Sequence, residues 1–177
     1  MKVQLLKTRL ALIVAVSSVA LGLVAHAATT VIVAVGTIPH SDVLNGPATV
    51  TFRTISFAPG EVGPWHYHPG PVFTVVTRGT LTVENGCGEE QSATAGQGFG
   101  EGSYVHRPKN LGTEEASAYQ GFVLPQGSPL AVNIPNNERR CGPPRNVSEC
   151  QGGWINFSHP RSFSSPGDCI QYINTGQ

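Results

Sequence analysis

Two histidines one residue apart, His66 and His68, sit in the stretch Pro59-Gly60-Glu61-Val62-Gly63-Pro64-Trp65-His66-Tyr67-His68-Pro69-Gly70. In an extended chain successive side chains alternate between faces. The two imidazoles therefore share one face, and Trp65 and Tyr67 share the other. Two imidazoles on one face of a strand can hold one metal ion, and imidazole suits Zn, Cu, Fe and Ni. A third histidine, His106, follows His66 by forty positions, at the end of another glycine-punctuated run. A lone His-x-His pair also occurs as plain surface chemistry. Gly60, Gly63 and Gly70 favour the ligand reading, because they bend the backbone at both ends of a short strand. No Gly-rich phosphate loop with its lysine is present, and no serine-nucleophile motif.

The elements that must position these residues read as β-strands. Val31 to Val35 is a short apolar run. Thr49 to Ala58 alternates, with Phe52, Thr54 and Ser56 on one face and Arg53, Ile55 and Phe57 on the other. After the histidine strand, Val72 to Arg78 is a strong strand and Gly79 punctuates it. Thr80 to Val83 continues, and Asn85-Gly86 signals a hairpin. Gln91 to Thr94, Phe99 to Glu101, Tyr104 to Arg107 and Ala118 to Leu124 complete the set. No segment between residues 28 and 125 has a helical period. Short strands with Gly and Pro turns define an all-β sandwich or barrel. From residue 126 onward prolines are scattered through a polar tail, read as an irregular C-terminal extension stapled onto the barrel (126–177). Phe52, Phe57, Phe73, Phe99 and Phe122 are expected in the core or lining a pocket. Arg78 reads as a solvated strand end and Asn110 as a structural turn residue. Trp65 and Tyr67 are left to pack against the tail or a partner subunit, which admits a homodimer.

Residues 1–27 read as a secretory signal. Lys2, Lys7 and Arg9 precede an apolar run from Leu10 to Val24, and Ala25-His26-Ala27 is a small-x-small cleavage site. The run is short for a membrane anchor, and no second stretch could span a bilayer. The expected product is secreted or periplasmic, a single domain of 150 residues without membrane attachment. Without residues 1–27 it holds 8 Lys+Arg against 11 Asp+Glu, net −3 with His neutral. That balance gives no electrostatic case for nucleic acid. Cys87, Cys141, Cys150 and Cys169 all lie beyond the signal, and an even count in an exported chain implies two disulfides. Three connectivities are open. The preferred one joins Cys150 to Cys169 within the tail and Cys87 to Cys141 at the tail's root. The alternative joins Cys141 to Cys150 and sends Cys169 to Cys87.

The chain resembles the cupins. Their first motif is a Gly, five residues, His-x-His, three or four residues, a Glu, six residues and a Gly. Here Gly60, His66-Tyr67-His68, Val72 and Gly79 fit every spacing. The second motif ends in a His with an Asn four positions on, as in His106-Arg107-Pro108-Lys109-Asn110. The resemblance covers roughly residues 48–125 and implies a double-stranded β-helix of the jelly-roll kind over residues 28–125. It also implies that His66, His68 and His106 converge as metal ligands. Two departures matter. The family's Glu ligand position is Val72, with Phe73 beside it, and neither can bind a metal. The second motif's Pro and Gly are Glu101 and Ser103. The four-ligand site of many cupins is therefore not present as written.

A three-His site remains, of the kind found in thiol- and diketone-cleaving dioxygenases of the family. It would leave a divalent ion (Fe, Mn, Zn, Ni or Cu) its full charge and open positions for a chelating or anionic small molecule. Glu101 is the one carboxylate that could act as a fourth ligand or a catalytic acid/base. Its odd offset from His106 puts it on the opposite face of a regular strand, unless Gly102-Ser103 bends the chain. Two function classes follow. One is a metal-dependent dioxygenase, isomerase or lyase acting on a small polar substrate. The other is a non-catalytic, storage-like cupin that binds a small molecule.

Overall fold

The computed structural model describes residues 28–177; the signal-peptide reading of residues 1–27 lies outside the described residues. Ten strands form two five-stranded antiparallel sheets. The first sheet has the order β1-β2-β9-β4-β7, built from β1 (Thr29–Ser41), β2 (Gly46–Phe57), β9 (Ala116–Pro125), β4 (Val72–Arg78) and β7 (Gly98–Glu101). The second has the order β10-β3-β8-β5-β6, built from β10 (Val132–Asn133), β3 (His66–Tyr67), β8 (His106–Lys109), β5 (Thr80–Asn85) and β6 (Glu90–Thr94). The chain passes repeatedly from one sheet to the other, which is the jelly-roll pattern. The two sheets are not joined edge to edge into one closed barrel. Gly79, with φ +67°, makes the passage from β4 to β5; a Cβ there would meet the Glu115 carbonyl at 2.7 Å.

The alternation read on β2 sets the inner face. Thr51, Ile55 and Phe57 are buried, and Arg53 points the same way between them. Strand register carries this face across the first sheet in rows. One row is Ile55–Ala118–Val76, the next Arg53–Gln120–Thr74–Phe99, the next Thr51–Phe122–Val72–Glu101. The first row belongs to an apolar core with Phe57, Leu81, Ala93 and Phe99. The later rows turn polar. That change from apolar to polar inside the sandwich marks the site.

Phe57, Phe99 and Phe122 are buried as expected, but Phe52 and Phe73 are 52% and 59% exposed. They occupy the outer-face phase of β2 and β4 and line a shallow apolar depression with Val75 and Tyr119. The period-2 rule fixed their phase correctly; their size alone misled. Arg78 is solvated, 3.6 Å from Glu115. Asn110 is buried, donating to the Phe57 and Glu114 carbonyls and accepting from Gly112 N–H.

The tail is more ordered than its prolines suggest. It adds β10 to the second sheet, where Val132 and Asn133 pair with Tyr67 and His66. It then forms α1 (Val147–Gly153) and α2 (Pro166–Thr175). Asn146 caps α1 by accepting Glu149 N–H. Ser165 caps α2 by accepting Asp168 N–H, with Pro166 in the first turn. Cys141, Cys150, Cys169, Phe157 and Phe163 make a small separate core under the helices. Cys87 is bonded to Cys141 and Cys150 to Cys169, with Cα atoms 4.4 and 5.5 Å apart. Among the described residues no cysteine is free, and no helix is long and apolar enough to cross a membrane.

Candidate metal centre

His66 and His106 stand directly opposite each other on β3 and β8, and His68 follows on the same face as His66. The structure brings all three together. Their ring centroids lie 4.5 to 5.1 Å apart, and all are buried. Trp65 and Tyr67 point the other way. Trp65 packs against Val105 and Ile134 beneath the Arg107 guanidinium, and Tyr67 lies 5.1 Å from His159 in the tail.

Each imidazole has its Nδ1 against a backbone carbonyl: Pro64 at 2.9 Å for His66, Leu130 at 2.6 Å for His68 and Tyr104 at 2.6 Å for His106. A carbonyl can only accept, so Nδ1 carries the proton in the neutral ring. The three Nε2 atoms are then lone-pair donors. Fixing the tautomer through the second nitrogen is how protein scaffolds orient metal-binding histidines. Two of these carbonyls lie two residues before their own histidine. The third, Leu130, comes from the start of the tail.

Glu101 joins the cluster, the alternative that the sequence left open through a bend at Gly102-Ser103. Glu101 ends β7 in the first sheet, whereas His106 begins β8 in the second. The chain crosses between sheets in the four residues separating them, so strand alternation does not apply. The register pairs Glu101 with Val72. The carboxylate therefore reaches the cluster from the strand next to the position where the cupin motif carries its Glu. Val72 itself is fully buried against Phe122 and Leu124.

The two oxygens of Glu101 have different surroundings. Oε1 accepts from the Thr74 hydroxyl and from Gln120 Nε2, the latter at 3.3 Å. Oε2 lies 2.8 Å from His106 Nε2 and 3.4 Å from His68 Nε2. One oxygen is anchored and the other faces the histidines. Thr74 and Gln120 carried no recognisable signal in the sequence, since their role depends on register between distant strands.

The donor set fits a cation. The four ligand atoms lie within 4.8 Å of one another. His106 Nε2 is buried with no hydrogen-bond partner, although it faces Glu101 Oε2. Two lone pairs at that separation repel unless a metal cation or a proton lies between them, and an unpartnered buried nitrogen is costly. Burial raises the Glu101 carboxyl's pKa, but when His106 and His68 carry a proton on Nε2 their hydrogen bonds and charge outweigh it and hold the group well below the usual carboxylate range. Burial first, then the neighbouring His106, pushes His66 down to about 4, against the Pro64 hydrogen bond. At neutral pH His66 is therefore an unprotonated donor.

This depressed pKa sets a pH dependence for the metal-free protein. The unfolded chain binds a proton at His66 near pH 6.5 and the folded chain only near 4. The stabilisation is complete above 6.5 and is lost as pH falls towards 4, reaching about 3 kcal/mol at one pKa unit per 1.4 kcal/mol. Thermal unfolding of chelator-treated protein between pH 7 and 4.5 should show falling stability. A flat profile would mean that His66 is not held neutral by burial.

The family profile described as a cupin domain matches residues 53–122, the span from β2 to β9 that holds all four donors. That match supports a cupin domain over this span, with which the two-sheet jelly-roll fold agrees. Among solved structures it is similar to an oxalate oxidase in complex with the substrate analogue glycolate (27% identity, TM-score 0.41), covering 49% of this chain and 46% of that one. It thus spans about half the length of that protein. It is also similar to the cupin domain of an XRE family transcriptional regulator from Enterobacter cloacae (19% identity, TM-score 0.43, 56% of this chain and 98% of that one). A third is a cupin superfamily protein from Desulfitobacterium hafniense (15% identity, TM-score 0.39, 52% and 79% coverage). No curated protein matches the sequence.

Proposed function

We propose that the chain is an exported, metal-dependent cupin enzyme in which His66, His68, His106 and Glu101 hold one divalent cation, and that it acts on a small polar substrate. The observation that carries the metal reading is the convergence of four ligand atoms, from His66, His68, His106 and Glu101, within 4.8 Å of one another in a buried place. A bound cation supplies Lewis acidity and positive charge towards a coordinated oxygen. The chain's own groups do the rest. The Pro64, Leu130 and Tyr104 carbonyls fix the three rings, and Thr74 and Gln120 fix the carboxylate. Cavities reach the cluster from two directions. One, of about 400 Å³, is lined by Glu101, His106, Tyr104 and Arg145; the other, of about 230 Å³, is lined by His66. Such access favours turnover over a sealed, storage-like site. Export is supported by the two disulfides, which persist in oxidising compartments.

Elemental analysis of the protein purified from an oxidising compartment is expected to show one equivalent of Fe, Mn, Zn, Ni or Cu. His66→Ala should abolish that uptake and leave an oxidised, folded protein, because the apolar core and both disulfides lie outside the site. Metal-free wild type that takes up no ion from a series of divalent salts would end the reading. Global unfolding of His66→Ala would make the ion structural.

A further inference from the structure

Arg53 is the one arginine among the described residues without a carboxylate partner. Arg78, Arg107, Arg139, Arg140, Arg145 and Arg161 each pair with an Asp or Glu. Arg53 lies instead on the inner face of β2, half-buried, in the row that continues through Gln120 to Thr74. Its Nε donates to Gln120 Oε1 at 2.8 Å, and its guanidinium carbon sits 4.8 Å from the centre of the Phe122 ring. Among the described residues Nη1 and Nη2 donate to nothing. A guanidinium does not lose its proton, and here the cost of burial outweighs the charge of Glu101, which lies beyond ion-pair contact. Natural chains keep such a charge inside where something binds it.

Arg53 and the ligand histidine His66 line the same cavity, of about 230 Å³. The other charged group in its wall, Glu61, is occupied in accepting the Ala58 N–H at 2.7 Å. Ile55, Phe57, Pro64 and Pro108 make much of the remaining wall apolar. The space has one cationic fork, one edge of the metal cluster and room for a molecule of a few carbons. A guanidinium fork matches a carboxylate bidentately.

We propose that this cavity binds a short dicarboxylate, one carboxylate meeting the cation held by the four donors and the other meeting Nη1 and Nη2 of Arg53. The proposal rests on the metal-centre reading above and adds to it the substrate class. Arg53 thereby selects the ligand, while Gln120, shared between Arg53 and Glu101, keeps the two ends of the site in register.

The test uses the purified protein loaded with Co²⁺, whose visible spectrum reports ligand entry, titrated with malonate, acetate and malonamide. Malonate is expected to bind wild type more tightly than either control. Arg53→Gln should weaken malonate roughly 10- to 100-fold, the worth of a charge-assisted hydrogen-bonded pair. Acetate binding and Co²⁺ affinity should stay within a few-fold. Arg53→Lys, which keeps the charge and loses the fork, should fall between the two and serves if Arg53→Gln does not fold. Equal malonate affinity in wild type and the Arg53 variants overturns the proposal. So does a parallel loss of Co²⁺ and malonate, which would mean that Arg53 acts only by holding Gln120 and Glu101. Failure of wild type to take up Co²⁺ is a separate result and removes the metal reading together with its substrate class.

Discussion

Glu101→Ala is expected to lower divalent-metal affinity by at least about 100-fold, above the 10- to 100-fold typical of groups that merely orient ligands. Adding Val72→Glu to that variant should restore most of the loss. The reasoning is one of register. Val72 and Glu101 are directly opposed on β4 and β7, and such pairs have Cβ atoms about 4.5–5.5 Å apart. A carboxylate on either strand can therefore enter the same space, which is why a chain with Val at the usual Glu position still presents three imidazoles and a carboxylate. Val72→Glu in the otherwise native chain should behave differently. It would set a second carboxylate beside a buried one and crowd Phe122 and Leu124, so reduced stability is expected without a gain in affinity. Isothermal titration with Mn²⁺ or Co²⁺ on the three variants decides it. Undiminished affinity in Glu101→Ala would leave a three-His site and make Glu101 a bystander. A folded double variant that fails to recover would break the register argument.

The parts of this site that depend on neighbours along the chain were legible in the sequence. Alternation placed His66 and His68 on one face, opposite Trp65 and Tyr67. It also put Arg53 with Ile55 and Phe57. Motif spacing tied His106 to the pair across forty positions. What depended on pairing between distant strands was not legible. The place of Glu101 stayed open because strand offset set it on the opposite face while Gly102-Ser103 allowed a bend, and only the fold shows the chain leaving one sheet and entering the other between Glu101 and His106. Gln120 and Thr74 became recognisable only once β9 and β4 were set beside β7. The exposed Phe52 and Phe73 show the converse. Their phase was readable, but hydrophobicity suggested burial where the sheet offers its outer face. The helices of the tail were hidden by short length and by prolines, one of which, Pro166, begins a helix.

Removing the Cys87–Cys141 bridge by the double change Cys87→Ser and Cys141→Ser should produce the largest loss of stability of any change outside the core. The bridge spans 54 residues. In the chain-entropy account, closing a loop of that size is worth about 4 kcal/mol, against about 3 kcal/mol for the 19-residue interval of Cys150–Cys169. For a domain of this size, 4 kcal/mol lowers Tm by roughly 8–16 °C. The location adds a consequence for the site. Beside the bridge the Val105 N–H donates to the Gly142 carbonyl at 3.0 Å and the Gly86 N–H to the Val105 carbonyl at 2.7 Å. The Arg145 guanidinium covers the Tyr104 ring at 4.6 Å, and the Tyr104 carbonyl holds His106 Nδ1. Gly86 lies so close to the Arg140 carbonyl that a Cβ would collide with it. The tail's root is thus pressed onto the segment that delivers His106. Freeing it should speed metal release at constant pH, whereas Cys150→Ser with Cys169→Ser loosens only the helical tail and should leave the release rate unchanged. Thermal unfolding and chelator-driven metal release on both double variants separate these effects. Equal release rates in the two would show that the staple holds the tail and not the metal centre.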